Sequence, residues 1–162
     1  MGDALGVIGG GQLGRYFVLA AQAMGYRVVV LEPDPQSPAG AVADEHIMAP
    51  YDDPDALAQL VNLCCAATVE FENPSVAALE LLERQIVVRP SSAAVAVAQD
   101  RRSEKRFCSE NGLAIAPFAI IEVPTDIAAA IAQAIVSWHY QNCSTWLRRQ
   151  RPAPYRPRRT TR

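Results

Sequence analysis

Apolar positions in this chain change period repeatedly. Residues 4 to 9, Ala-Leu-Gly-Val-Ile-Gly, form a short apolar run ending in glycines; Leu13, Phe17, Ala20, Ala21 and Met24 then recur at helical spacing until Gly25. That pattern predicts strand, tight turn and helix. Arg27 to Leu31 is a β-branched run suited to a buried parallel strand, broken by Glu32-Pro33-Asp34-Pro35. Together they predict a right-handed βαβ unit.

The alternation continues. A short strand is expected near Glu45 to Met48, a helix from about Pro54 to Leu63 after the Asp52-Asp53 cap, and a strand at Ala66 to Phe71. A helix over Ser75 to Arg84 follows, then a strand at Ile86 to Val88 ended by Arg89-Pro90. Ser91 and Ser92 offer N-caps for a helical stretch through Ala98, and a further helix is expected from about Asp100 to Glu110, with Asn111-Gly112 as its stop signal. Phe118 to Val123 fits one more strand, and Thr125 to Ala134 one more helix. Strands alternating with helices predict an α/β fold with a doubly wound, mostly parallel sheet. Beyond residue 137 neither period survives.

Composition adds an upper bound and an asymmetry. With 162 residues, 50% of them hydrophobic and 20% charged, one domain plus a tail is expected. No stretch approaches the roughly 18 unbroken apolar residues of a membrane span, and the start of the chain lacks a basic region followed by an apolar run and cleavage site. A soluble, cytoplasmic protein with no membrane partner is expected. Residues 1 to 135 carry 8 Lys/Arg against 17 Asp/Glu, whereas residues 136 to 162 carry seven Arg and no acid, so two compositions have been joined. Cys64, Cys65, Cys108 and Cys143 show none of the spacings of metal or redox motifs, and His46 and His139 are isolated; all are read as structural, and no metal ligand is assigned.

Three segments carry chemistry. Gly9-Gly10-Gly11-Gln12-Leu13-Gly14 fits G-x-G-x-x-G between a strand and a helix, where backbone N–H groups and the helix dipole can hold an anion. Taken alone, with Glu32 where a dinucleotide fold places its ribose-binding acid, the motif makes an NAD(P)-binding module the default. Thr68-Val69-Glu70-Phe71-Glu72-Asn73-Pro74 puts two carboxylates and an amide at the carboxyl end of a strand; on a continued strand Glu70 and Glu72 would share a face. The plain alternative is an acidic loop before the next helix. In Gln99-Asp100-Arg101-Arg102-Ser103-Glu104-Lys105, Arg101 and Lys105 lie one helical turn apart, either facing phosphates or on a solvated helix face.

The ordered set GGGQLGR, EPDPQSPA, VADEHIMAPYDD, VEFEN and RPSS with QDRRSEK resembles the N-terminal region of N5-carboxyaminoimidazole ribonucleotide synthetases, over about residues 4 to 134. Arg102, where such enzymes often carry an apolar residue, and Arg89 depart from the pattern. The resemblance implies a Rossmann-like pre-ATP-grasp substrate domain over residues 1–98, the start of an ATP-grasp domain over 99–135, and an irregular basic tail over 136–162. It implies a ligase that spends ATP, with Mg2+, to carboxylate 5-aminoimidazole ribonucleotide with bicarbonate in purine biosynthesis. Gly11, Gln12, Leu13 and Glu72 would contact the ribonucleotide, and Arg101 and Lys105 the ATP phosphates. A homodimer is compatible with the full-length family; nucleic acid is not an expected partner.

The same resemblance implies a following GYDGKGQ loop. Ser137 to Pro152, SWHYQNCSTWLRRQRP, back-translates with permitted codons and, read one nucleotide later, gives PGIIKTARLGYDGKGQ. A frameshift near Gln133 to Val136 is therefore expected, with an out-of-frame tail and no carboxylase activity for the chain as written. The competing account is a natural basic tail whose Trp and Arg residues contact single-stranded nucleic acid.

Overall fold

The computed structural model describes residues 3–133; the predicted tail over 136–162 lies outside them. Five strands and six helices follow in the order β1 (Ala4–Ile8), α1 (Gln12–Ala23), β2 (Val28–Leu31), β3 (Glu45–Ile47), α2 (Pro54–Leu63), β4 (Cys64–Val69), α3 (Val76–Glu83), β5 (Val87–Arg89), α4 (Ser92–Gln99), α5 (Arg101–Glu110) and α6 (Asp126–Gln133). All pairings are parallel, in the order β3-β2-β1-β4-β5. The doubly wound α/β reading holds.

Local chemistry explains the helix starts. Asp53, Ser75, Ser91 and Asp100 each accept a backbone N–H of the first turn, from Ala56, Ala78, Ala94 and Arg102 respectively. Pro54 at the head of α2 forgoes a donor that would be unpaired there anyway. Glu83 accepts from the Ser92 backbone N–H at 2.9 Å and from its hydroxyl, tying the end of α3 to the start of α4 across β5. The Ser92 hydroxyl, then its N–H, holds the Glu83 carboxyl below the usual glutamate range.

Side-chain alternation along the central strands divides the core. Val7, Val28 and Val30 pack with Val18 and Ala21 of α1 and with Ala39. Ile8, Val29 and Leu31 pack on the opposite side with Leu57, Leu60, Leu79, Leu82, Val88 and Val95. All four residues of β2 are fully buried, as a parallel strand covered on both faces requires. Gly6 of β1 lets Leu60 come close: a Cβ there would meet its Cδ1 at 3.3 Å.

Two expected elements are corrected. The strand expected at Ala66 to Phe71 runs from Cys64 to Val69, because α2 passes into it without a loop. No strand forms over Phe118 to Val123. No other strand runs beside this segment among the described residues, and Phe118, Ile121 and Val123 remain 39%, 45% and 51% exposed. Their β propensity has no neighbour against which to act.

Candidate functional site

The sheet order places the site. The chain leaves β1 toward β2 and β3 on one side and returns through β4 and β5 on the other, so the carboxyl ends of β1 and β4 flank the switch point where open α/β sheets take ligands. The glycine turn follows β1 and the acidic loop follows β4. The Glu70 N–H donates to Ile8 O at 2.9 Å, and the Gly11 N–H donates to Glu70 Oε2 at 3.3 Å. The two segments form one surface.

A second carboxylate holds the turn from the other side. The Gly10 N–H donates to Glu32 Oε2 at 2.8 Å, the Asp34 N–H donates to Glu32 Oε1 at 3.0 Å, and the Tyr51 hydroxyl donates to Glu32 Oε2. Glu32 is 9% exposed. Tyr51 also packs against Phe71, ring centroids 4.8 Å apart. Burial, then the hydrogen bond to Glu32 and the charges of Glu32 and Glu70, push the Tyr51 phenol well above its ordinary range. The loop after β2 covers the turn: Ala39 N–H donates to Gly10 O at 2.9 Å, and Arg15 Nη1 donates to Pro38 O at 3.3 Å. His46 sits at the base of this loop with Nε2 2.9 Å from Glu32 O, a structural placement.

These contacts explain the glycines. Gly9 has φ +108°, a conformation that side chains disfavour. At Gly10 space decides, since a Cβ would lie 2.3 Å from Glu32 Cγ and 2.7 Å from Ser37 Cβ; at Gly11 it would lie 2.4 Å from Glu70 Oε1, the end of a side chain that can turn aside.

Of the residues named from the sequence, Gly11, Gln12 and Leu13 stand at the head of α1 on this switch point. The Gly11 N–H is engaged by Glu70. Gln12, Leu13 and Gly14 precede the first helical bond, Arg15 N–H to Gly11 O at 3.0 Å, and the N-cap residue Gly11 has no side chain to cap them. Gln12 and Leu13, both exposed, present the N–H groups nearest a ligand, while Gly14 is buried. Glu72 lies on the loop after β4 and is exposed; it is Glu70 that reaches the turn. The shared strand face expected for these two residues is absent, because β4 stops at Val69, opposite Ile8, where Gly9 leaves the sheet.

Gln99, which the sequence did not single out for a structural role, joins the other segments. Its side-chain amide donates to Glu72 O at 3.2 Å and to Pro74 O at 2.8 Å, and the adjacent Asp100 caps α5. The loop bearing Glu72 is thus tied to the helix bearing Arg101 and Lys105. Arg101 pairs with Glu104, and Lys105 Nζ lies 5.9 Å from the centre of the Phe118 ring. Helix α5 has no buried residue.

Among the described residues no group of three or more His, Cys, Asp or Glu could hold a metal ion, so no Mg2+ site is assigned to them. No helix among them is long and apolar enough to cross a membrane.

A parallel sheet with this strand order, with a glycine turn at the switch point and an acidic loop opposite, places the chain in the class of doubly wound α/β domains of Rossmann-like topology. Residues 2–99 match the family described as the ribonucleotide synthetase preATP-grasp domain, and the chain belongs to that family. N5-carboxyaminoimidazole ribonucleotide synthase of Brucella melitensis is 42% identical over 130 residues, which is 80% of this chain and 36% of that protein. The solved structure of the Staphylococcus aureus synthetase matches with a TM-score of 0.76 and 43% identity, over 81% of this chain and 36% of that one. The Aspergillus clavatus enzyme, solved with ADP and 5-aminoimidazole ribonucleotide, matches with a TM-score of 0.71 and 29% identity, over 82% of this chain and 36% of that one. The chain therefore spans about a third of the length of these relatives.

Proposed function

We propose that this chain forms the ribonucleotide-binding side of an N5-carboxyaminoimidazole ribonucleotide synthase, a cytoplasmic ligase that uses ATP and Mg2+ to carboxylate 5-aminoimidazole ribonucleotide with bicarbonate. The observation that carries this reading is the junction of the glycine turn with the loop after β4 at the switch point, in a chain of the ribonucleotide synthetase preATP-grasp family. The Gln12 and Leu13 N–H groups, next to Gly11, suit a monophosphate, and the Glu72 carboxylate suits hydroxyl or amine donors of the ligand. Arg101, with Lys105 a turn later, suits polyphosphate, and residues 99–135 are assigned to the start of the ATP-grasp domain. The homodimer belongs to this reading of the whole enzyme.

The dinucleotide alternative is opposed by the use made of Glu32. That residue is 9% exposed, with Oε2 accepting two hydrogen bonds and Oε1 one from the protein, so the carboxylate is turned into the glycine turn and away from a cofactor ribose.

A thermal-shift titration separates the two. At a ligand concentration of about 100 times Kd, 5-aminoimidazole ribonucleotide is expected to stabilise the chain by about 2.7 kcal/mol, a rise in Tm of about 8 °C, while NAD leaves Tm unchanged. Gln12→Pro, which removes the Gln12 N–H at the first position of α1 where proline is tolerated, and Glu72→Ala are each expected to weaken that response about tenfold in ligand concentration, an effect of about 1.4 kcal/mol. Stabilisation by NAD, with no response to the ribonucleotide, would reject the ligase reading.

A further inference from the structure

The carboxylate of Glu70 lies across the glycine turn. It accepts the Gly11 N–H at 3.3 Å, and its backbone N–H is fixed to Ile8 O at 2.9 Å. Added Cβ atoms show how widely the side chain covers the turn: one at Gly9 would meet Glu70 Oε2 at 2.9 Å, one at Gly11 would meet Oε1 at 2.4 Å, and one at Gly14 would meet Cγ at 3.3 Å. Glu32 occupies the Gly10 N–H in the same manner at 2.8 Å. In a dinucleotide-binding turn of this topology those donors and that space serve a pyrophosphate. Here two anions of the protein's own hold the place.

We infer that Glu70 is a specificity-determining residue, which restricts the site to ligands with one phosphoryl group at the head of α1 and rejects those carrying a diphosphate across the turn. This rests on the proposed ribonucleotide reading for the identity of the ligand, but the exclusion itself follows from the turn. A single phosphate can use the N–H groups of Gln12 and Leu13. A second, linked phosphate reaching back across the turn, as a dinucleotide's pyrophosphate does, meets Gly10 and Gly11, whose donors are occupied by like charge. The neighbouring Tyr51 offers it no proton to share, since its hydroxyl is already donated to Glu32.

The test uses the 162-residue chain with inorganic phosphate, inorganic pyrophosphate and 5-aminoimidazole ribonucleotide as probes, the first two followed by phosphorus NMR. Wild-type protein is expected to bind pyrophosphate no more tightly than phosphate. Glu70→Ala is expected to raise the preference for pyrophosphate over phosphate at least tenfold. Glu70→Gln, which removes the charge and keeps an oxygen for Gly11, is expected to raise it by a smaller factor. Circular dichroism establishes that each variant is folded. A folded Glu70→Ala or Glu70→Gln chain with the wild-type preference overturns the inference, and so does wild-type protein that already favours pyrophosphate. Should the preference change as expected while the ribonucleotide fails to bind, the proposed function falls and the exclusion by Glu70 stands.

Discussion

Replacing Gly10 by alanine is expected to destabilise the fold by about 3 kcal/mol and to abolish ligand binding at the turn. The new Cβ would lie 2.3 Å from Glu32 Cγ and 2.7 Å from Ser37 Cβ, and neither neighbour has freedom to withdraw. Glu32 is held by three hydrogen bonds, and Ser37 is 2% exposed with its N–H donated to Asp34 O at 3.1 Å. The turn itself must therefore shift, and with it the Gln12 and Leu13 N–H groups. Gly25→Ala is the control: that glycine has φ +88° but nothing within 4 Å of an added Cβ, so only the left-handed backbone is penalised, by about 1 kcal/mol. Urea denaturation of both variants checks the ordering. Equal losses would mean that space at Gly10 is not what the turn requires.

Glu32→Ala is expected to cost about 3 kcal/mol, because it strands the Gly10 N–H, the Asp34 N–H and the Tyr51 hydroxyl together. With an m-value of about 2 kcal/mol/M, the urea midpoint should fall by about 1.5 M. Glu32→Gln preserves the size and one acceptor oxygen and should lose about half as much. The comparison also has functional meaning. A carboxylate kept for a cofactor ribose would be dispensable to the unliganded fold, and its removal would leave the midpoint within about 0.3 M of wild type.

Much of the fold was legible because its signals are local. Asp53 before Pro54, and Ser75, Ser91 and Asp100 at their helix starts, announce themselves through the backbone donors they satisfy. The apolar run of β2 likewise declares a strand buried on both faces. Phe118 to Val123 misled for the opposite reason: strand formation depends on a neighbouring ladder, and propensity does not supply one.

The candidate site was legible in part. The glycine turn and the acidic loop could be named as candidate segments, and the sheet order explains why they meet. Which side chains bind the turn was not legible. The bonds from Gly10 to Glu32 and from Gly11 to Glu70 span 22 and 59 residues, distances over which spacing carries no information. Sequence logic assigned Glu32 to a cofactor under one reading and favoured Glu72 under the other; the fold uses Glu32 and Glu70 to hold the turn. Tyr51 and Gln99 stand inside the resembling segments VADEHIMAPYDD and QDRRSEK, but those segments do not say what the two side chains bind; their partners emerge only when loops distant in sequence are brought together.

The most direct measurement is an amide chemical-shift titration of the isotopically labelled chain with 5-aminoimidazole ribonucleotide. The largest changes are expected at Gly11, Gln12, Leu13 and Gly14 and at Glu70 to Asn73, with the remainder of the sheet little affected. Changes confined to other surfaces, or none at ligand concentrations that saturate the thermal shift, would contradict a ribonucleotide site at the junction of β1 and β4.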